Sequence, residues 1–139
     1  MKIVKAENTL IIRLEIGDEL VSCLTRACAE NGVKCGVING IGACDYAKIG
    51  CFSPKTKEYK ELEFRGDLEI CSLLGNITEK DGEPYMHLHI TLGREDASVV
   101  GGHLQEALIS VTGEIFVRKL PTRIGRIPCP QTGINVFDI

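Results

Sequence analysis

Tyr85-Met86-His87-Leu88-His89-Ile90-Thr91-Leu92 alternates without a break, with Met86, Leu88, Ile90 and Leu92 on one side and Tyr85, His87, His89 and Thr91 on the other. A period of two sustained this far predicts a β-strand that buries its apolar side and turns the other away from the core. Asp81-Gly82, just upstream, is a hairpin-turn pair, and Asp67 to Ile77 before it reads as a further apolar strand. The decisive stretch therefore sits in antiparallel surroundings and displays two histidines on its outward side.

Working towards the N-terminus, Glu58 to Phe64 reads as a charged strand after the turn Ser53-Pro54-Lys55-Thr56. Lys34 to Asn39 and Asp45 to Phe52 read as two short strands joined at a glycine bend, Gly40-Ile41-Gly42-Ala43. These glycines do not make a phosphate loop, because no helix with a Lys-Ser/Thr ending follows them. Leu20, Cys23, Leu24, Ala27, Cys28 and Asn31 recur at helical spacing between Asp18, a plausible N-cap, and Gly32, a C-terminal stop. Before this helix, Leu10, Ile12, Leu14 and Ile16 alternate through a first strand, Thr9 to Ile16, with Arg13 on its less apolar face.

In the other direction, Gly93 to Ser98 is irregular and Gly101-Gly102-His103-Leu104 follows it. Val111 to Leu120 reads as a strand that carries Glu114 among apolar neighbours. Residues 121–139 hold three of the five prolines and read as an ordered extension closing with a short edge strand. One principal helix against a mainly antiparallel sheet makes the fold class α+β. The expectation is a single domain over residues 1–139, with its core at about 8–120 and the extension at 121–139.

The 139 residues are 44% hydrophobic, enough for a substantial core, yet no apolar run approaches the roughly 20 residues that span a bilayer. The start, Met1-Lys2-Ile3-Val4-Lys5-Ala6-Glu7, lacks a secretory apolar region, so the expected location is cytoplasmic, away from membranes. A net charge of −3 argues against a dedicated nucleic-acid binder. Seven cysteines without a C-x-x-C pair read as reduced structural thiols, with Cys23, Cys28 and Cys71 in apolar surroundings.

His87 and His89 lie two apart on one strand face, with Cα atoms roughly 6.6 Å apart, so both imidazoles can reach one ion. A catalytic-type zinc site takes three protein ligands, and His103 is the one remaining histidine. Gly101 and Gly102 before it lack Cβ atoms and would let that backbone approach the histidine strand closely. The alternative is a pair of hydrogen-bonding residues on a half-exposed strand and an unrelated turn residue; spacing alone leaves both readings open. Glu114 and Arg13 are supporting candidates: a cross-strand ion pair, or a carboxylate that orients a ligand histidine or takes a proton from bound water.

The string His87-Leu88-His89-Ile90, then Gly101-Gly102-His103-Leu104, then Thr112-Gly113-Glu114-Ile115, resembles the plants-and-prokaryotes conserved (PPC) domain family. Gly40-Ile41-Gly42-Ala43 is similar to its glycine turn, and Leu68-Glu69-Ile70-Cys71-Ser72-Leu73-Leu74-Gly75-Asn76-Ile77 to its strand of the form E-I-x-S-L-x-G. Arg13-Leu14 with Gly17-Asp18-Glu19-Leu20 resembles its start, so the agreement runs in order over residues 8–120.

The resemblance implies a compact α+β fold, assembly as a homotrimer, and a divalent-metal site at His87, His89 and His103, with zinc the first choice for an all-imidazole set. It also implies the label of DNA-binding protein, inherited from plant members that carry an Arg-Gly-Arg-Pro hook. Here the nearest approach to that hook, Arg123-Ile124-Gly125-Arg126-Ile127-Pro128, is interrupted by isoleucines. Asp67 stands where a partner-binding stretch of the plant members has arginine. No pattern identifies a substrate, so whether the protein is a small metal-dependent enzyme or a ligand-binding or regulatory module stays open at this level.

Overall fold

The hairpin at Asp81-Gly82 organises the computed structural model, which describes residues 1–139. The two turn residues have φ of 54° and 84°, the left-handed pair that a type I′ turn requires. They join β4 (Glu58–Lys80) to β5 (Glu83–Arg94) in antiparallel register from Lys80↔Glu83 to Leu68↔Arg94. The other elements are β1 (Lys2–Ala6), β2 (Thr9–Leu14), α1 (Leu20–Glu30), β3 (Gly36–Ser53), β6 (Val99–Lys119), β7 (Gly125–Pro128) and β8 (Asn135–Asp138). The main sheet runs β1-β2-β6-β3-β4-β5, and β5 pairs additionally with β6. That last pairing closes β3, β4, β5 and β6 into a ring, to which β2 and the edge strand β1 are attached. The fold is α+β and mostly antiparallel, as the periodicities anticipate.

The strands are longer than local pattern suggests. The two short strands expected between Lys34 and Phe52 are one strand, β3, and the glycine bend is a bulged region with register shifts at Gly40/Gly42 and Cys44/Tyr46. Glycine is required there by close packing: a Cβ on Gly40 would stand 2.8 Å from the Glu114 carbonyl oxygen, and one on Gly42 would strike that of Thr112. Likewise, the strands expected at Glu58 to Phe64 and Asp67 to Ile77 merge into β4, and Gly101 to Leu104 is continuous with Val111 to Leu120 in β6. Such lengths persist because the partners change: β6 pairs with β5 over Val99 to His103, with β3 from His103 to Lys119, and with β2 over Gly113 to Arg118. Bulges bend a strand and increase its twist, so long strands can wrap a core.

A further register shift between Ile70 and Ser72 corrects one thiol. Ile70 and Leu73 both point inward, and the bulge residue Cys71 is exposed rather than buried as its apolar neighbours suggest. Cys23 and Cys28 are buried as expected, and Cys35 and Cys44 join them. Burial pushes the Cys28 thiol up to about 12 and that of Cys44 up to about 11, so neither is a reactive thiolate near neutral pH.

Helix α1 begins one residue later than expected. Its N-cap is Glu19, whose carboxylate accepts from the Val21 and Ser22 amides at 3.0 and 2.7 Å and from Ala107 at 3.2 Å. Asp18 is drawn away: it accepts from the Glu15 amide at 2.9 Å and stands 2.8 Å from the Met1 ammonium. The helix buries Leu20, Cys23, Leu24, Ala27 and Cys28 and packs on β5 and β6. Its apolar side joins a continuous core with Leu88, Ile90, Leu92, Leu104 and Ile109.

Two terminal features differ from expectation. β1 carries no buried residue and is held by its ladder to β2, from Lys2↔Arg13 to Ala6↔Thr9, so burial periodicity could not announce it. In the extension, β8 does form, but it pairs with β7 as a separate two-stranded sheet instead of adding to an edge of the main one. This hairpin lies against β4, with the Glu79 amide donating to the Ile124 carbonyl at 3.1 Å.

Candidate metal centre

Strand alternation builds the first half of the site. Leu88 and Ile90 are buried in the core, which forces His87 and His89 onto the opposite face of β5. Their cross-strand neighbours on β4 are Asn76 and Leu74. On the other side of β5, His89 lies directly opposite His103 of β6, and this pair begins the ladder that closes the ring. His103 in turn pairs with Gly50 of β3.

The approach of β6 depends on the two glycines before His103. A Cβ on Gly101 would stand 2.7 Å from the Ile90 carbonyl oxygen, and one on Gly102 2.7 Å from that of Gly50. Gly75 plays the same part on β4, where a Cβ would run into the His87 carbonyl oxygen. Both backbones flanking the histidine strand are thus seated as closely as a glycine allows.

The result is one cluster. Ring centroids are separated by 5.3 Å for His87 and His89, 5.3 Å for His87 and His103, and 5.6 Å for His89 and His103. One ligand nitrogen from each ring lies within 4.8 Å of the others. Nitrogens sharing a tetrahedral zinc ion are roughly 3.3 Å apart, so modest side-chain rotation would bring all three into range. His103 Nδ1 is buried with no hydrogen-bond partner, and such orphans are few in native proteins. A cation coordinated through this nitrogen would satisfy it, and three imidazoles gathered this closely fit a divalent ion.

Burial holds His87 and His103 below the ordinary imidazole pKa of 6.5, reinforced by repulsion among the histidines and, for His87, by Arg126. Neutral imidazole is the form that ligates a metal. Tyr59 packs near the site, its ring 5.9 Å from that of His103.

Glu114 and Arg13 do not join this cluster. They are register partners between β2 and β6, yet Arg13 pairs with Glu15 at 3.2 Å, and Glu114 is exposed without an ion pair. Instead of lying beside the histidines, Glu114 lines an outer groove with Ile41, Cys71 and Leu74. Alternation places Ile115 and Val117 inside and leaves Glu114 exposed, eleven positions along β6 from His103.

Arg126 of β7 was not singled out as a site residue, and the fold brings it next to the triad. Its Nε donates to Thr78 Oγ1 at 2.8 Å, its Nη2 to Asn76 Oδ1 at 2.6 Å and its Nη1 to the Asn135 carbonyl at 3.4 Å. Its guanidinium also stacks on Phe137 at 4.4 Å and Tyr85 at 4.8 Å. Because Asn76 pairs with His87 across the β4–β5 ladder, the guanidinium stands one side chain away from the first histidine.

The Plants and Prokaryotes Conserved (PCC) domain model matches residues 1–121. No curated protein gives a significant match. Among solved structures, a protein of Bacteroides thetaiotaomicron described as a candidate DNA-binding protein has a TM-score of 0.96 and 39% identity, over 99% of this chain and 96% of its own. A metal-containing protein of Archaeoglobus fulgidus has a TM-score of 0.88 and 34% identity, over 98% and 94%. A plant- and prokaryote-conserved (PPC) protein of Pyrococcus horikoshii has a TM-score of 0.87 and 34% identity, over 99% and 94%. With a match spanning most of its length and a fold shared with these proteins, the chain belongs to the plants and prokaryotes conserved domain family.

Proposed function

We propose that the protein binds a divalent metal ion, zinc in the first instance, through His87, His89 and His103, and presents it to a small ligand. The observation that carries this reading is the convergence of three imidazoles, one nitrogen from each within 4.8 Å of the rest. The metal-containing relative from Archaeoglobus fulgidus supports it. Three protein ligands leave a coordination position open to water or ligand, and a zinc ion there supplies Lewis acidity. We further propose one domain over the whole chain, a homotrimeric assembly and a cytoplasmic location. Elemental analysis of untagged protein, paired with solution mass, tests the core of this reading. About one metal per chain, lost in His87→Ala and His89→Ala, is expected; metal-free protein purified without chelator would overturn it.

A second reading, a DNA-binding module, rests on the description of the Bacteroides thetaiotaomicron relative. Against it stands the net charge of −3. It requires duplex binding that weakens steeply with salt, and no binding at low salt would exclude it.

A further inference from the structure

We infer that Arg126 is the anion-holding residue of the histidine site, and that the site's ligand is a small carboxylate bridging the ion and this guanidinium; the inference rests on the metal reading above. Arg126 is half-buried between two aromatic rings, and all three of its hydrogen-bond acceptors, Thr78 Oγ1, Asn76 Oδ1 and the Asn135 carbonyl, are neutral. None of the chain's ion pairs includes it. Asp138, opposite Gly125 in the β7–β8 ladder, forms no pair with it. A guanidinium has five N–H donors, and the three bonds here leave one hydrogen on Nη1 and one on Nη2 without a protein acceptor.

The histidines add to this imbalance of charge. Three neutral imidazoles bring no negative charge to a divalent ion, and no carboxylate stands in the ligand cluster. An ion there and the Arg126 guanidinium would form a doubly cationic site that the protein itself does not neutralise. Opposite charge stabilises a partly buried cation further, and a planar carboxylate matches both the guanidinium fork and an open metal position. The short bond to Asn76, the cross-strand neighbour of His87, fixes the guanidinium on the face of the sheet that carries the histidines. Arg126 lies on β7, beyond the residues matched by the family model.

Acetate is the probe. In zinc-loaded full-length protein, the guanidinium ¹⁵N resonances of Arg126 are expected to shift and saturate with acetate. In the cobalt-substituted protein, the visible spectrum reports acetate at the ion. Arg126→Gln is expected to weaken that affinity about tenfold or more, and Arg126→Lys less, with metal content unchanged in both. Affinity within twofold of wild type in both variants, no spectral response to acetate, or a saturating cobalt spectrum with the Arg126 resonances unmoved would each overturn the inference while leaving the metal reading intact. Failure to take up metal sinks both. The resonance measurement uses the unaltered chain, so it decides the matter even if a variant loosens the hairpin.

Discussion

The inner and outer faces of β5 are built from the same run of alternating residues and have opposite energetics. Inside, Leu88, Ile90 and Leu92 are almost wholly removed from water, each contributing about 1.5–3 kcal/mol of apolar burial. Outside, His87 and, beside it on β6, His103 are partly desolvated, and His103 Nδ1 has no partner. Unpaired polar burial costs stability, so the outer face of the metal-free protein draws on what the inner face supplies. The strand teaches that a site of this kind is affordable where its reverse side is anchored in the densest part of the core.

The sharpest way to break this division is to attack the anchor. Leu88→Ala is expected to lower unfolding free energy by about 2–5 kcal/mol, read from urea titrations, because the surrounding core relaxes only partly into the space. Gly75→Ala comes next. It forces a Cβ onto the His87 carbonyl and against the core side chain of Leu88, and a loss of about 1–3 kcal/mol with weakened metal binding is expected.

Substitution on the outer face should separate affinity from stability. His103→Ala is expected to reduce metal affinity about 100-fold or more, judged against the 10–100-fold effects of outer-shell changes. The stability of the metal-free protein should stay within about 1 kcal/mol of wild type, because an unsatisfied group is removed along with some packing. A large loss of apo stability would show that the triad belongs to the fold itself.

Acidity acts on the same face. His87 and His103 are held below 6.5 in the folded protein, so the unfolded chain binds their protons more readily. Metal-free protein should therefore keep full stability above about pH 6.5 and lose it as pH falls through the folded values, with the slope reduced in His87→Ala and His103→Ala. Chemical denaturation at stepped pH checks this, and a profile unchanged by the two substitutions would contradict it. The smallest effect is expected from Glu114→Gln. With the carboxylate exposed and unpaired, stability should change by less than about 0.5 kcal/mol and metal content not at all.

Much of this organisation was legible in the residues. The strand at Tyr85 to Leu92, the type I′ pair at Asp81-Gly82 and the apolar helix stripe were visible because each is a short-range pattern with one dominant physical cause. The approach of the Gly101-Gly102 backbone was legible for the same reason: absence of a Cβ is a property of the residue. What Glu114 lies beside was not legible, because the strands that pair with β6 are far away in sequence. The bulge at Cys71 shifts inward positions by one, which no local count reveals.

By itself, then, the sequence determined the fold class, the sidedness of β5 and the identity of the three histidines, since period, turn chemistry and residue type are carried by neighbours along the chain. Tertiary structure alone decided that β5 and β6 close the ring and set His103 opposite His89, and that Arg126 crosses from the C-terminal hairpin to Asn76 beside His87. Those juxtapositions depend on long-range pairing and on bulges that bend strands of up to 23 residues around one core. Such pairings are selected by the packing of the whole molecule, which no window of sequence contains.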